Sequence, residues 1–121
     1  MAKADVEEIA VSWLQELVGE DWPVSGDKPN QQPGQFIIVD RTGGPRESMV
    51  LDRDEILIEV YHKTSRPEAK KKANDIADQI INLELYSSEI THASVNSMIN
   101  LNDLLAQYQR YQIYCDVWCR R

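Results

Sequence analysis

Hydrophobic positions change period along this chain, and each change marks an element. Val6, Ile9, Ala10, Trp13, Leu14 and Leu17 recur at i, i+3, i+4, i+7, i+8 and i+11, one face of an amphipathic helix. Asp5 is placed to cap it, with Glu8 three residues on as the return partner. Glu7, Glu8, Gln15 and Glu16 fall on the opposite face, and Gly19 is the expected stop. Prolines 23, 29 and 33 and glycines 26 and 34 then break any period. Only a short edge strand near Trp22–Ser25 fits there.

Two strands follow. Gln35–Arg41 is nearly continuous in apolar, β-branched residues, which suggests cover on both faces. Thr42-Gly43-Gly44-Pro45 ends it and a polar loop runs to about Val50. In Glu55–His62, Ile56, Ile58 and Val60 share one face, and Leu57, Glu59 and Tyr61 the other. Ser65-Arg66-Pro67-Glu68 is a helix start with serine as cap, proline in the first turn and glutamate to complete a capping box. The stripe Ala69, Ala73, Ile76, Ala77, Ile80 carries that helix to about Leu83. Ile90–Val95 alternates weakly, and 96–106 has no clear period. Gln107–Cys119 is a long strand. Tyr111, Ile113, Cys115, Val117 and Cys119 lie on one face; Tyr108, Arg110, Gln112, Tyr114, Asp116 and Trp118 lie on the other. The expected fold is α+β: an antiparallel sheet of four to five strands with two helices packed on it, in the order α-β-β-β-α-β-β.

The 121 residues suit one domain, 1–121, with a core of its own. With 42% hydrophobic and 27% charged residues the chain is neither disordered nor a disulfide scaffold. No apolar run approaches the ~20 residues of a membrane span, and Met1–Glu8 lacks the apolar stretch of a secretory leader. The net charge of −7 is uneven: residues 1–60 hold 5 basic and 13 acidic side chains, residues 61–121 hold 8 and 7. Such a surface opposes non-specific nucleic-acid binding and suits a charge-complementary protein contact. Cys115 and Cys119, four apart in a strand, would be about 13 Å apart at ~3.4 Å per residue. That exceeds the ~7 Å limit for a disulfide, so buried free thiols in a reducing compartment are expected.

Candidate chemistry is sparse. Asp40, Asp52, Asp54 and Glu59 supply hard oxygen ligands at strand positions, as a magnesium-dependent hydrolase would need. No Lys or His is spaced to join them, and solvent-exposed acids at strand ends are the simpler expectation. His62 and His92 stand alone, outside any nucleophile–base constellation. Gly43-Gly44 is followed by a proline and a strand rather than by a helix N-terminus, so it reads as a turn and not a phosphate cradle. No catalytic residue, metal or cofactor is expected. The arginines Arg41, Arg46 and Arg53 flank this loop in an otherwise acidic half, and arginine is favoured at protein contacts. The outward aromatics Tyr108, Tyr114 and Trp118 suggest a subunit interface.

Over nearly its whole length the chain resembles the small tail-terminator (tail-completion, minor tail) proteins of long-tailed bacteriophages. The likeness rests on the N-terminal amphipathic helix, the Pro-rich stretch Val24–Pro33 and the step Val39-Asp40-Arg41-Thr42-Gly43-Gly44. It continues through Asp52 ahead of strand Ile56–Tyr61, the helix opening at Ser65–Glu68 and the closing aromatic strand Tyr111–Trp118. The resemblance implies a non-enzymatic virion protein at the tail–neck junction, assembled in the host cytoplasm. It implies a homo-oligomer, usually a hexameric ring, that caps the head-proximal end of the tail tube and ends its polymerisation. One face would meet the tube protein and the other the head–tail connector or adaptor, with DNA passing through the opening and no membrane involved. The loop residues Arg41, Thr42, Gly43, Gly44, Arg46 and Arg53 would then reach the tube or a neighbouring subunit. The neighbouring readings are a head-completion or connector adaptor, a small metal-dependent hydrolase using Asp40, Asp52 or Asp54, and a binding module of similar fold from outside phages.

Overall fold

The computed structural model describes residues 6–26, 34–43, 51–101 and 108–120. Helix α1 spans Val6–Val18, and strands β1 (Val24–Ser25), β2 (Gln35–Gly43) and β3 (Leu51–His62) follow. Helix α2 spans Arg66–Gln79 and continues through a 3-10 turn, Ile80–Asn82, into a one-turn helix α3, Leu83–Tyr86; β4 (Ile90–Asn100) and β5 (Gln109–Arg120) complete the order. The class and order match the expectation. Asp5, the expected cap of α1, lies outside the described residues.

Periodicity accounts for α1: Val6, Ala10, Trp13 and Leu14 are buried, while Glu8, Gln15 and Glu16 face water. Gly19 ends it at φ +74°, where a side chain would be strained, and its N–H reaches the Gln15 carbonyl at 3.2 Å.

The start of α2 differs from a simple capping box. Ser65 caps as expected, its hydroxyl accepting the Glu68 N–H at 3.2 Å. Glu68 does not return to the serine amide. His62, at the end of β3, takes that place: its Nδ1 accepts the N–H groups of Thr64 and Ser65 at 3.2 and 2.9 Å. Its Nε2 meets the Glu68 carboxylate at 2.9 Å. Two accepted bonds at Nδ1 leave the ring proton on Nε2, which then donates to Glu68. The imidazole thus ties the strand to the helix it feeds. The Trp22 ring lies 6.0 Å from it.

The sheet runs β1-β2-β3-β5-β4. Its four long strands are antiparallel as expected, but β1 runs parallel to β2. The parallel pair forms because the Pro23 carbonyl accepts the Ile37 N–H at 2.8 Å as the chain leaves α1. The last strand inserts between β3 and β4 rather than adding to an edge. It pairs with β3 from Leu51↔Arg120 to His62↔Gln109 without a register shift. Strand β4 runs five residues beyond the expected Val95, held in register through Asn100↔Tyr111.

All three helices contribute to one core on a single face of the sheet. Ile37, Val39, Ile56, Ile58, Val60, Ile113, Cys115, Val117 and Cys119 supply its floor; Leu14, Ala69, Ala73, Ile76 and Leu83 supply its roof. The alanines let α2 lie close to β3 and β5. Cys115 and Cys119 are buried free thiols. On the opposite face, among the described residues, Phe36, Ile38, Tyr61 and Tyr108 form a smaller buried hydrophobic cluster.

Candidate functional site

Two regions hold the residues singled out in the sequence: the base of the β2–β3 connection and the open face of the sheet.

At the base, Asp54 shares the helix-covered face with Ile56, Ile58 and Val60, and it is fully buried. A buried carboxylate needs a cation and donors. Arg41 Nε and Nη2 both reach its Oδ1, at 2.9 and 2.7 Å, and the Cys119 thiol faces Oδ2 at 3.8 Å. The Arg41 side chain remains 42% exposed. It therefore joins a buried anion to the surface instead of projecting as a free charge. Thr42 Oγ1 donates across the hairpin to Glu55, whose main-chain and side-chain oxygens lie 3.2 and 3.1 Å away. The register shifts between Arg41 and Gly43, a bulge that turns the end of β2. Arg41, Thr42 and Gly43 thus hold the base of the connection, while Gly44 and Arg46 lie outside the described residues. Arg53 stands half-buried on the other face, in register with Trp118.

On the open face, Phe36 stacks on Tyr61 with centroids 4.5 Å apart, and Tyr108 packs edge-on against both. Tyr108 is only 4% exposed. The chain's own aromatic cluster therefore covers its ring, where the strand pattern placed it on the outward face. Beside the cluster one oxygen of Glu59 takes three donors: the Tyr61 hydroxyl at 3.2 Å, Arg110 Nη1 at 3.3 Å and Gln112 Nε2 at 3.2 Å. Arg110 Nε also donates to the Leu101 carbonyl at 2.8 Å, tying down the end of β4. This half of the face is closed by its own bonds.

The other half is not. Leu57 lies opposite Tyr114, and Arg53 opposite Trp118, all half-buried. His92 tilts over the Trp118 ring at 5.3 Å. Glu55 stands directly opposite Asp116, with exposed Asp40 one strand away, and like charges so placed repel. Tyr114 and Trp118 thus keep accessible surface where Tyr108 does not.

The acids considered for a metal site are split between the faces. Asp40 and Glu59 lie on the open face and Asp54 on the covered one, so the expectation that Asp54 is an exposed strand-end acid is corrected. The parity that buries Ile56 also buries Asp54. Among the described residues no three His, Cys, Asp or Glu side chains converge. The Cys115 thiol is pushed up to about 12, first by burial and then by the neighbouring Asp116 charge. It is held as an inert thiol rather than a nucleophile.

Sequence reasoning missed the Arg41–Asp54 pair and the Glu59 hub. The signal was present in part, since an acid in phase with a β-branched core stripe requires a cation.

No known family's sequence profile matches the chain, and no curated protein matches it in sequence. In structure it is similar to a chain of the virion of a native gene transfer agent (GTA) particle. The TM-score is 0.64 at 13% identity, over 89% of this chain and 84% of that one. At that identity the likeness establishes the fold.

Proposed function

We propose that this chain is a structural, non-enzymatic protein of a phage-like particle, and specifically the terminator that closes the head-proximal end of a tail tube as a ring of about six copies. The observation that carries the reading is the fold shared with a chain of a virion particle over 89% of this chain and 84% of that one. The residue pattern that resembles tail terminators, running from the N-terminal helix to the closing aromatic strand, gives it the finer assignment.

The chemistry of the surface agrees. A ring subunit needs two different contact surfaces for its neighbours and two different ends for its partners. The chain has a braced loop base at Arg41 and Thr42, a half-open aromatic face at Leu57, Tyr114 and Trp118, and an acidic surface suited to charge-specified docking. In this reading Arg46 and the residues around it reach the tube or the next subunit. Tyr114 and Trp118 pack between subunits, and the opposite end of the ring meets the head–tail connector. The protein then belongs to the tail–neck junction of the particle.

The test is arrest of tube growth. Purified chain is added to polymerising tube protein, and tube length and the number of bound copies per end are measured. Capped tubes of fixed length with about six copies at one end are expected. Binding to isolated connector but not to tube ends would move the protein to the connector-adaptor role. Binding to neither would overturn the proposal.

A further inference from the structure

Charge is split along the helical arm that begins with α2. Residues 63–72 hold five basic side chains and one acid; residues 73–89 hold four acids and no basic side chain. The division falls within α2, with Lys70, Lys71 and Lys72 before it and Asp75 and Asp78 after it. A helix prefers the reverse, acids near its N-terminus and cations near its C-terminus, and a Lys four residues ahead of an acid is the weaker order. Apart from Glu68 in the first turn, the charges of α2 therefore work against the helix that carries them. The chain does not compensate for this internally. Among the described residues no ion pair engages Lys71, Asp75 or Asp78. The Lys72 ammonium lies over the Trp22 ring, 5.6 Å from its centre. A local rule broken without internal gain is the mark of a functional surface.

Ala69, Ala73 and Ile76 turn toward the core, so the helical period points Lys71, Asn74 and Asp78 away from it. Lys71 and Asp78 are exposed and Asn74 is half-buried. Beside this crest the end of α1 and the middle of α2 enclose a furrow of about 290 Å³, lined by Leu17, Val18 and Ile76 with Asp75 and Asp78 at its side. A long apolar stem ending in a cation fits such a furrow, and lysine is that side chain. We infer that the furrow takes Lys71 of a second copy of this chain, the two α2 helices packing antiparallel about a two-fold axis at Asn74. The order of charges selects this occupant. Packed antiparallel, a helix that runs from basic to acidic is complementary to itself; packed parallel, like would meet like. At about 1.5 Å of rise per residue, Lys71 of one copy comes level with the stretch between Asp75 and Asp78 of the other. Pro67 comes level with Ile81, which is 53% exposed. Each copy gives one lysine and receives one, so the contact closes at two.

This pairing does not depend on the terminator reading. A two-fold contact has no place in a ring whose two ends differ, so it describes the free protein before a tube is met. It forms against a net charge of −7 on each copy and is one helix wide, which puts it at the small, weak end of specific interfaces.

The experiment uses the full chain. Light scattering across a concentration series should show the mean mass rising toward two copies. Lys71→Glu and Asp78→Lys should each weaken association about tenfold or more. Lys71→Glu also brings α2 into line with its own dipole, so the melting temperature should not fall. Mixed in equal amounts, the two variants should pair with each other more tightly than either pairs with itself. One native contact is then rebuilt, and at the other the introduced glutamate meets the introduced lysine. Cross-linking tests the register. Helix axes about 8–10 Å apart bring the two Asn74 Cα atoms within the range of a disulfide, whereas the two Leu85 positions lie more than about 20 Å apart along the helices. Oxidised mildly and separated without reductant, Asn74→Cys should give a cross-linked pair and Leu85→Cys should not; the native thiols, Cys115 and Cys119, are buried. A native chain that stays monomeric at about 1 mM, a pair indifferent to both charge reversals, variants that pair no better mixed than alone, or equal cross-linking at 74 and 85 would overturn the pairing. A six-copy assembly that ignores both reversals and is not cross-linked through position 74 would overturn it too, yet leave the terminator reading standing. Failure of tube capping alone would do the reverse.

Discussion

The two faces of the sheet solve the same problem by different means. The helix-covered face buries aliphatic side chains and thiols under α1, α2 and α3 and, among the described residues, one acid, Asp54, which Arg41 and Cys119 contact at its margin. The open face has no helical roof among the described residues. It closes one half with an aromatic triad and a carboxylate that accepts three donors, and leaves the other half with Leu57, Tyr114 and Trp118 partly accessible. Burial on the first face is non-directional and tolerant of sequence. Order on the second depends on particular donors and rings. Stability therefore belongs mainly to the covered face, and in the function proposed above recognition falls to the open one.

The sharpest way to break that division is at adjacent positions of β3. Ile58→Ala removes a fully buried side chain from the covered face and should cost about 2–5 kcal/mol in urea denaturation. Leu57→Ala, one residue away on the open face, should cost under about 1 kcal/mol, since half its surface benefit is already forgone. Equal losses would mean that the open face carries a core of equal weight.

Next in size is Arg41→Ala. It removes the guanidinium that faces the buried Asp54 carboxylate, and the loss should be about 1–3 kcal/mol, discounted from the usual cost of breaking a buried pair because Arg41 is 42% exposed. The double variant Arg41→Ala/Asp54→Ala should recover part of it. Single and double variants with additive losses would refute the coupling.

The Cys115 thiol gives the covered face a pH signature. Its folded value of about 12 exceeds the ordinary 9.0, so above pH 9 the unfolded chain releases a proton that the native chain keeps. The stability is fully present below pH 9 and declines as pH rises toward 12, by about 1.4 kcal/mol at pH 10. Cys115→Ala should flatten that slope whatever its effect at neutral pH, and an unchanged slope between pH 8.5 and 10 would contradict the assignment.

The smallest of these effects concerns the tie between β3 and α2. Ser65→Ala removes the acceptor for the Glu68 N–H and should cost about 1 kcal/mol. His62→Ala strips acceptors from two backbone amides at once and should cost more than Ser65→Ala. The reverse ranking would show that the serine, not the imidazole, holds the junction.

Much of this was legible in the sequence because it is local. The 3.6-residue stripe of α1, the alternation in β3 and β5 and the serine start of α2 depend only on neighbours along the chain, so their positions and faces could be read directly. The α2 stripe led past Gln79 toward Leu83, yet the chain tightens at Ile80 and re-enters a single turn at Leu83. Strand β4 was read only to Val95. Its polar Asn and Ser residues carry little strand propensity, and pairing with β5 extends it to Asn100.

Sequence by itself thus determined the class, the order of elements and which side of each long strand is apolar, because hydrophobic burial acts through periodicity. Tertiary structure alone decided the insertion of β5 between β3 and β4, the parallel β1, the capture of Asp54 by Arg41 and the enclosure of Tyr108 by Phe36 and Tyr61. Each of these joins residues distant along the chain through register and direction. A hydrogen bond or ion pair specifies its partner by position in space, and no local period encodes that position.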